Sequence, residues 1–360
     1  MLKKTMALLM ACAVLGGAAM AEGTSGTKIM STTPGRTEQE QTAAAEPEQT
    51  AAVEPEQTAA VETEQDHVPA EPEKDVPVVV GQSAAAKLDS NVTALPINFA
   101  PGKPLDQANF IGEYEYADPT ITVSIENNRE FGCLYWVATI RIADPSQLRS
   151  VSADGFDSEM TMPGPVLAKR VNAVLAVDGD YYCYSSGRYT YREGILYESN
   201  FYGARDVLVI DEDGDFHGLL SVDQKTLDAM NGMIDGKKII NVLFFGPVLY
   251  ADGMIRTGGN EAAIGPTNHS QRMALCQSGP LEYKVICCEA PKRGSTGMTM
   301  DQFRAVVAAQ NVQIAYNLDG GDSTMLIFNG VKLNDPENPN TRDIADIVYF
   351  ASAYDAEGAK

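Results

Sequence analysis

Between Glu22 and Leu88 the chain has no phenylalanine, tyrosine or tryptophan, and this gap limits where a hydrophobic core can form. The segment instead repeats Glu-Gln-Thr-Ala-Ala every eight residues, beginning at Glu40, Glu48 and Glu56. Thirteen acids against four bases leave it nine charges negative. Low hydrophobicity with that self-repulsion cannot offset the conformational entropy of folding. Pro47, Pro55 and Pro69 interrupt any helix that alanine and glutamate favour, and a period of eight keeps no single face apolar. Residues 22–94 are therefore expected to form a disordered acidic spacer rich in Glu, Ala, Thr, Pro and Gln.

Ahead of the spacer, Lys3 and Lys4 precede an apolar run from Met6 to Met20 that closes on Ala19-Met20-Ala21. That pattern reads as a secretory signal peptide over residues 1–21, with Leu9-Met10-Ala11-Cys12 offering a weaker lipoprotein alternative. The run falls short of the roughly 20 apolar residues that span a bilayer, and no later segment approaches that length. A secreted or cell-surface location is expected, with no transmembrane segment. Removing 1–21 takes two lysines and no acid, so the formal charge moves from -22 to -24. Such acidity excludes nucleic acid as a partner, since phosphate backbones are held by clustered Lys and Arg.

Composition changes near Leu95, and residues 95–360 carry the aromatic and β-branched residues of a globular domain. Short strands are predicted at 121–125, 134–142, 171–177, 207–210, 239–245, 273–276, 283–288, 314–318, 325–328 and 347–351. Helices are predicted at 166–170, 222–231 and 300–310, the last capped by Thr299. Many strands and few helices give an α+β class, a mixed and mostly antiparallel sheet core with a few packed helices. Once Cys12 has left with the signal, five cysteines remain, an odd number without C-x-x-C spacing. They read as buried small hydrophobes, and neither a metal nor a cofactor is expected.

Two strands end in clustered acids. Ile314-Ala-Tyr-Asn-Leu runs into Asp319-Gly320-Gly321-Asp322-Ser323, and Asn172-Ala-Val-Leu-Ala-Val runs into Asp178-Gly179-Asp180-Tyr181. Glycine at such points lets the backbone approach a ligand closely, although a plain hairpin uses the same residues. If the two ends lie side by side, Asp178 or Asp180 faces Asp319 across a sugar, the paired-carboxylate arrangement of glycoside chemistry. Phe244-Phe-Gly-Pro-Val-Leu reads mainly as structure, with Phe245 and Gly246 available to wall a pocket. In Asn268-His269-Ser-Gln-Arg272, the arginine supplies a planar fork suited to phosphate in an acidic domain. The plainer readings are a surface ion pair for Arg272 and an ordinary loop residue for His269. Asp211-Glu-Asp-Gly-Asp-Phe-His-Gly has the start of a calcium loop but lacks glutamate at the twelfth position, so it reads as an acidic hairpin.

In this order, Ala-Val-Asp-Gly-Asp-Tyr-Tyr, Phe-Phe-Gly-Pro-Val-Leu, the His269–Arg272 stretch, Gly297-Met-Thr-Met-Asp-Gln-Phe and Asn-Leu-Asp-Gly-Gly-Asp-Ser-Thr-Met resemble the phosphodiester glycosidase domain over about residues 110–354. The family favours three glycines before the serine, where this chain has Asp322 third, and often Asn-Gly where this chain has Asp178-Gly179. Its usual His-Pro-Arg-like pattern is also altered before Arg272. The resemblance implies hydrolysis of a sugar-1-phosphodiester, typically of N-acetylglucosamine, to free sugar and phosphomonoester. The expected partner is a phosphodiester-linked glycan or cell-envelope polysaccharide. By this resemblance Asp319, Asp180 and Asp178 are the catalytic candidates. Arg272, His269, Asn317, Gly320, Gly321, Ser323, Gly246 and Tyr181 are the substrate-binding ones. Two alternatives use the same residues: a non-catalytic glycan-binding module, and a metal-dependent phosphoesterase with Asp178, Asp180, Asp319 and Asp322 as oxygen ligands.

Overall fold

A computed structural model describes residues 88–89, 92–180, 183, 187–259, 261–291, 294–335 and 342–355. The signal peptide and almost all of the spacer read from the sequence lie outside the described residues. The domain is α+β and dominated by antiparallel sheet, as its many short β-branched runs predict.

Among the described residues three sheets build it. The largest has eight strands in the order Glu115–Ala117, Ile121–Glu130, Cys133–Ile142, Glu282–Cys288, Arg272–Gly279, Ile314–Asn317, Val248–Ala251 and Met254–Ile255. A second runs Ile195–Asn200, Arg188–Arg192, Lys237–Leu243, Ala204–Asp211 and Phe216–Asp223, with the short Met233–Ile234 paired to Lys237–Leu243. The third runs Val331–Lys332, Leu326–Phe328, Ala173–Asp178, Asp346–Ala351 and Leu148–Ser152.

Several strands read as unbroken apolar runs because both of their faces are covered. In Arg272–Gly279, Met273 and Leu275 enter the central core shared by the sheets, whereas Ala274 and Cys276 meet the helix Met300–Ala308 through Phe303, Val306 and Val307. In Ala173–Asp178, Val174, Leu175 and Val177 join the central core, and Ala173 and Ala176 face the helix Gly164–Arg170 through Leu167 and Ala168. Burying each such Leu, Val or Phe contributes about 1.5–3 kcal/mol. Thr299 caps the helix Met300–Ala308 by accepting from the Gln302 N–H, and the Gln302 side chain accepts from the Thr299 N–H in return. The third helix, Gln224–Met230, starts two residues later than expected because Asp223 ends a strand and caps the helix. All five described cysteines are buried and unpaired.

The strands deliver the polar residues to one place. Asp178 ends a strand of the third sheet, and its neighbour in register, Ile347, follows Asp346 at the start of the adjacent strand. Asn317 ends a strand of the first sheet opposite Ala274, two residues after Arg272 at the start of its partner strand. Phe244 follows the strand Lys237–Leu243 of the second. Among the described residues no helix is long and apolar enough to cross a membrane.

Candidate active site

The loop Asp178-Gly179-Asp180 and the loop Asp319-Gly320-Gly321 are laced together by backbone. The Asp319 N–H donates to the Gly179 carbonyl at 3.3 Å, and the Gly179 N–H donates to the Asp346 carbonyl at 3.0 Å. A Cβ on Gly179 would overlap the Asp346 carboxyl, so glycine there serves close approach. Gly321 has a φ of 59° and donates its N–H to the Gln271 carbonyl at 3.1 Å.

Four carboxyls and one guanidinium share the space beneath these loops. Asp180 accepts the Phe244 N–H at 2.9 Å on Oδ2, and the same oxygen lies 2.6 Å from Arg192 Nη2, with neither side chain exposed. Arg192 Nη2 is also 3.6 Å from Asp346 Oδ2. Burial, then the charge of Asp180, pushes the Asp346 carboxyl up to about 8, with Arg192 opposing. Asp178 accepts the Met325 N–H at 2.8 Å on Oδ1, while its Oδ2 has no hydrogen-bond partner. Burial, and next the charge of Asp319, lifts Asp178 well above the usual carboxylate range. Asp319 is pushed up to about 6, chiefly by burial; the Ser323 hydroxyl, the Gly320 N–H and Arg342 pull it down, and Asp180 pushes it up. Arg192 reaches two of the four acids, and burial raises Asp178, Asp319 and Asp346 alike, which favours their protonated forms.

Above the cluster opens a cavity of about 650 Å³. This lies within the roughly 300–1,000 Å³ usual for small-ligand sites. Asp180, Asn317, Leu318, Asp319, Gly320 and Gly321 line it together with Tyr189, Phe244, Phe245 and Ser270. Arg188, Arg205, Arg272 and Arg342 also line it.

The expected residues separate by position. Asp180, Asp319, Asn317, Gly320, Gly321 and Arg272 line the cavity. Asn317 donates Nδ2 to the Gly246 carbonyl at 2.9 Å, so Gly246 holds the amide in place and does not itself form the wall. Asp178 and Ser323 lie behind, facing a closed space of about 10 Å³ with Asp319 and Asp346. Asp178 therefore does not line the main cavity, and it cannot face Asp319 across a sugar. His269 is exposed beside the Gly297 carbonyl and does not line the cavity. Tyr181 lies outside the described residues.

Arg272 needs a correction. Its Nε, Nη1 and Nη2 donate to the carbonyls of Met298 at 3.3 Å, Ile264 at 3.1 Å, Gly265 at 2.9 Å and Asn268 at 2.9 Å. Four of its five N–H donors are committed to backbone, so it shapes the loop 264–268 and is left with little to offer a phosphate.

Asp322, which departs from the family pattern, is exposed and outside the cavity wall. The Asp211 hairpin is closed by its own cation, with Lys237 Nζ 3.4 Å from Asp211, 3.0 Å from Asp213 and 3.0 Å from Asp215. Among the described residues no three His, Cys, Asp or Glu side chains are arranged to hold a metal ion.

Sequence reasoning missed Arg192, Asp346 and Arg205. For Asp346 a signal exists, an acid directly ahead of the apolar run Ile347–Ala351, where a strand starts instead of ending. Arg192 and Arg205 look like ordinary strand residues until the sheets are assembled.

The family model for phosphodiester glycosidases matches residues 171–351, half of the chain. The chain belongs to the phosphodiester glycosidase family. Both clustered-acid loops and the buried Arg192 fall within the matched region. None of the curated proteins matches the chain. Among solved structures, the catalytic domain of zebrafish N-acetylglucosamine-1-phosphodiester alpha-N-acetylglucosaminidase, auto-inhibited by its pro-peptide, superimposes with a TM-score of 0.52 at 16% identity. The match covers 65% of this chain and 84% of that one. A hypothetical protein from Synechocystis gives 0.42 at 14% identity, covering 64% and 62%. At 16% identity the likeness to the zebrafish domain speaks for the fold alone.

Proposed function

We propose that the protein is an exported hydrolase that cleaves the glycosidic bond of a sugar-1-phosphodiester, of the N-acetylglucosamine-1-phosphodiester kind, in a cell-surface glycan. The observation that carries the reading is a family cavity with acids at its floor and arginines in its wall, in which Asp319 is the least buried of the four floor acids, at 9% exposure, with its carboxyl pushed up to about 6. Asp180 also lines the cavity, but its side chain is wholly buried against Arg192. It acts through its charge on whatever lies above it and does not touch it.

Chemistry then follows from the substrate. A phosphate ester leaves readily, so catalysis rests on holding it and on stabilising positive charge at the anomeric carbon. Asp319, as its carboxylate, takes a proton from water; the water oxygen bonds to the anomeric carbon as the bond to the phosphate oxygen breaks, and that electron pair leaves with the phosphomonoester. Asp180 supports the oxocarbenium-like transition state by its charge. Asn317, Gly320 and Gly321 position the sugar.

The test is release of free sugar from N-acetylglucosamine-1-phosphodiesters by the purified protein and by Asp319→Asn, each with and without chelator. Turnover that survives chelation and falls with Asp319→Asn supports the reading. Sugar binding without turnover would instead favour a glycan-binding module, and loss of turnover with chelator a metal-dependent phosphoesterase.

A further inference from the structure

Most arginines of the cavity wall are already engaged. Arg188 pairs with Glu159 at 2.8 Å and Glu198 at 3.5 Å. Arg272 is committed to backbone carbonyls. The charge of Arg342 acts on Asp319. Arg205 differs: it is half-buried, lines the cavity, and has no ion-pair partner among the described residues. Its guanidinium lies over the Phe244 ring, with Cζ 4.9 Å from the centroid.

That platform is firmly held. Phe244 is buried and packs edge-on against Phe201 at 4.7 Å, and Phe201 packs in turn against Tyr189 at 6.3 Å. The Phe244 N–H also holds the Asp180 carboxylate. Stacking occupies one face of a guanidinium and leaves its N–H edge for an anion. Pairing the cation with a nearby acid would be simple in a chain of charge -22, yet the fold leaves it to the cavity. A preordered, unpaired planar cation beside the floor acids is what a bidentate phosphate contact requires.

We propose that Arg205, held on the Phe244 ring, grips the phosphate of the substrate and sets the enzyme's preference for a phosphorylated leaving group. This rests on the phosphodiester glycosidase reading above. Arg205 thereby takes the phosphate contact expected of Arg272.

Arg205→Gln and Arg205→Met, in the full chain, test it; both keep a side chain on Phe244 and remove the charge. Calorimetry with inorganic phosphate and, separately, with N-acetylglucosamine reads binding without turnover. The expected result is a loss of about 10- to 100-fold in phosphate affinity for both variants, with sugar affinity within about two-fold of wild type. For an N-acetylglucosamine-1-phosphodiester, kcat/KM should fall by a similar factor. Phosphate affinity unchanged in either folded variant overturns the proposal. If wild type turns over no phosphodiester but phosphate binding still depends on Arg205, the anion site stands and the hydrolase reading falls.

Discussion

Arg192 Nη2 stands 2.6 Å from Asp180 Oδ2 with both side chains wholly buried. Removing the cation leaves a buried carboxylate without its partner, so Arg192→Met is expected to cost about 3–5 kcal/mol of stability. Arg192→Met combined with Asp180→Asn should be less destabilised than the two single costs added together, by at least about 1 kcal/mol. Urea unfolding of the four proteins measures this. An additive cycle would mean that the pair is not coupled.

Asp319 gives the pH dependence. Its carboxyl is pushed up to about 6, and a base works only when deprotonated. Activity should therefore be low below pH 5, rise roughly tenfold per unit toward 6 and level off above it. Asp319→Asn should lose about 10²–10⁴-fold and the rise with it. A wild-type profile flat from pH 4 to 7 would remove Asp319 from this role.

Asp346 predicts a stability trend of the opposite sense. Its folded-state value, about 8, lies above the unfolded one near 3.8, so the folded protein binds this proton more tightly. The contribution is full below pH about 4 and is lost as pH rises toward 8. Asp346→Asn, which keeps the neutral shape, should match wild type near pH 4 and become the more stable protein near pH 9. Thermal unfolding across that range decides it, and parallel curves would refute the assignment.

Arg272 and Arg205 should fail in different ways. Because Arg272 ties down the carbonyls of Ile264, Gly265, Asn268 and Met298, Arg272→Lys should lower the melting temperature by several degrees, a few hydrogen bonds at about 1 kcal/mol each. Its effect on sugar and phosphate binding should be equal, since a loosened loop harms both. Selective loss of phosphate binding in Arg272→Lys would restore the phosphate role that the sequence suggested.

The strand ends were legible because apolar runs stopping at Asp178-Gly179-Asp180 and Asn317–Ser323 state both a direction and a chemistry. A strand was also legible where both faces are apolar, as at 273–276 within Arg272–Gly279, though not what covers it. Leu148–Ser152 was not, because its buried arginine looks polar on paper. Arg149 is satisfied by the nearby Ser146 carbonyl at 2.9 Å and by the Pro96 carbonyl at 3.0 Å and the Tyr349 hydroxyl at 3.1 Å, the last two brought near only by folding. The same blindness affected the site. Whether an arginine meets carbonyls, as Arg272 does, or an aromatic ring, as Arg205 does, depends on contacts between distant segments, which one sequence does not encode locally.

The Asp211 hairpin offers a last test, of an ammonium standing where a metal would. Asp211, Asp213 and Asp215 have the spacing of the first three carboxylates of a calcium loop, and Lys237 reaches all three. The absent glutamate at the twelfth position and this internal cation both argue that wild type has no use for calcium there. Lys237→Met removes the cation while keeping the aliphatic stem, and leaves three acids facing one another. The variant should be less stable than wild type, and because no three acids there are arranged to hold a metal ion, calcium at about 10⁻⁴–10⁻³ M should not raise its melting temperature. Wild type should show no calcium response either. A calcium response in the variant alone would mean that losing Lys237 lets the three acids converge as a ligand set, and one in wild type that Lys237 yields to the metal.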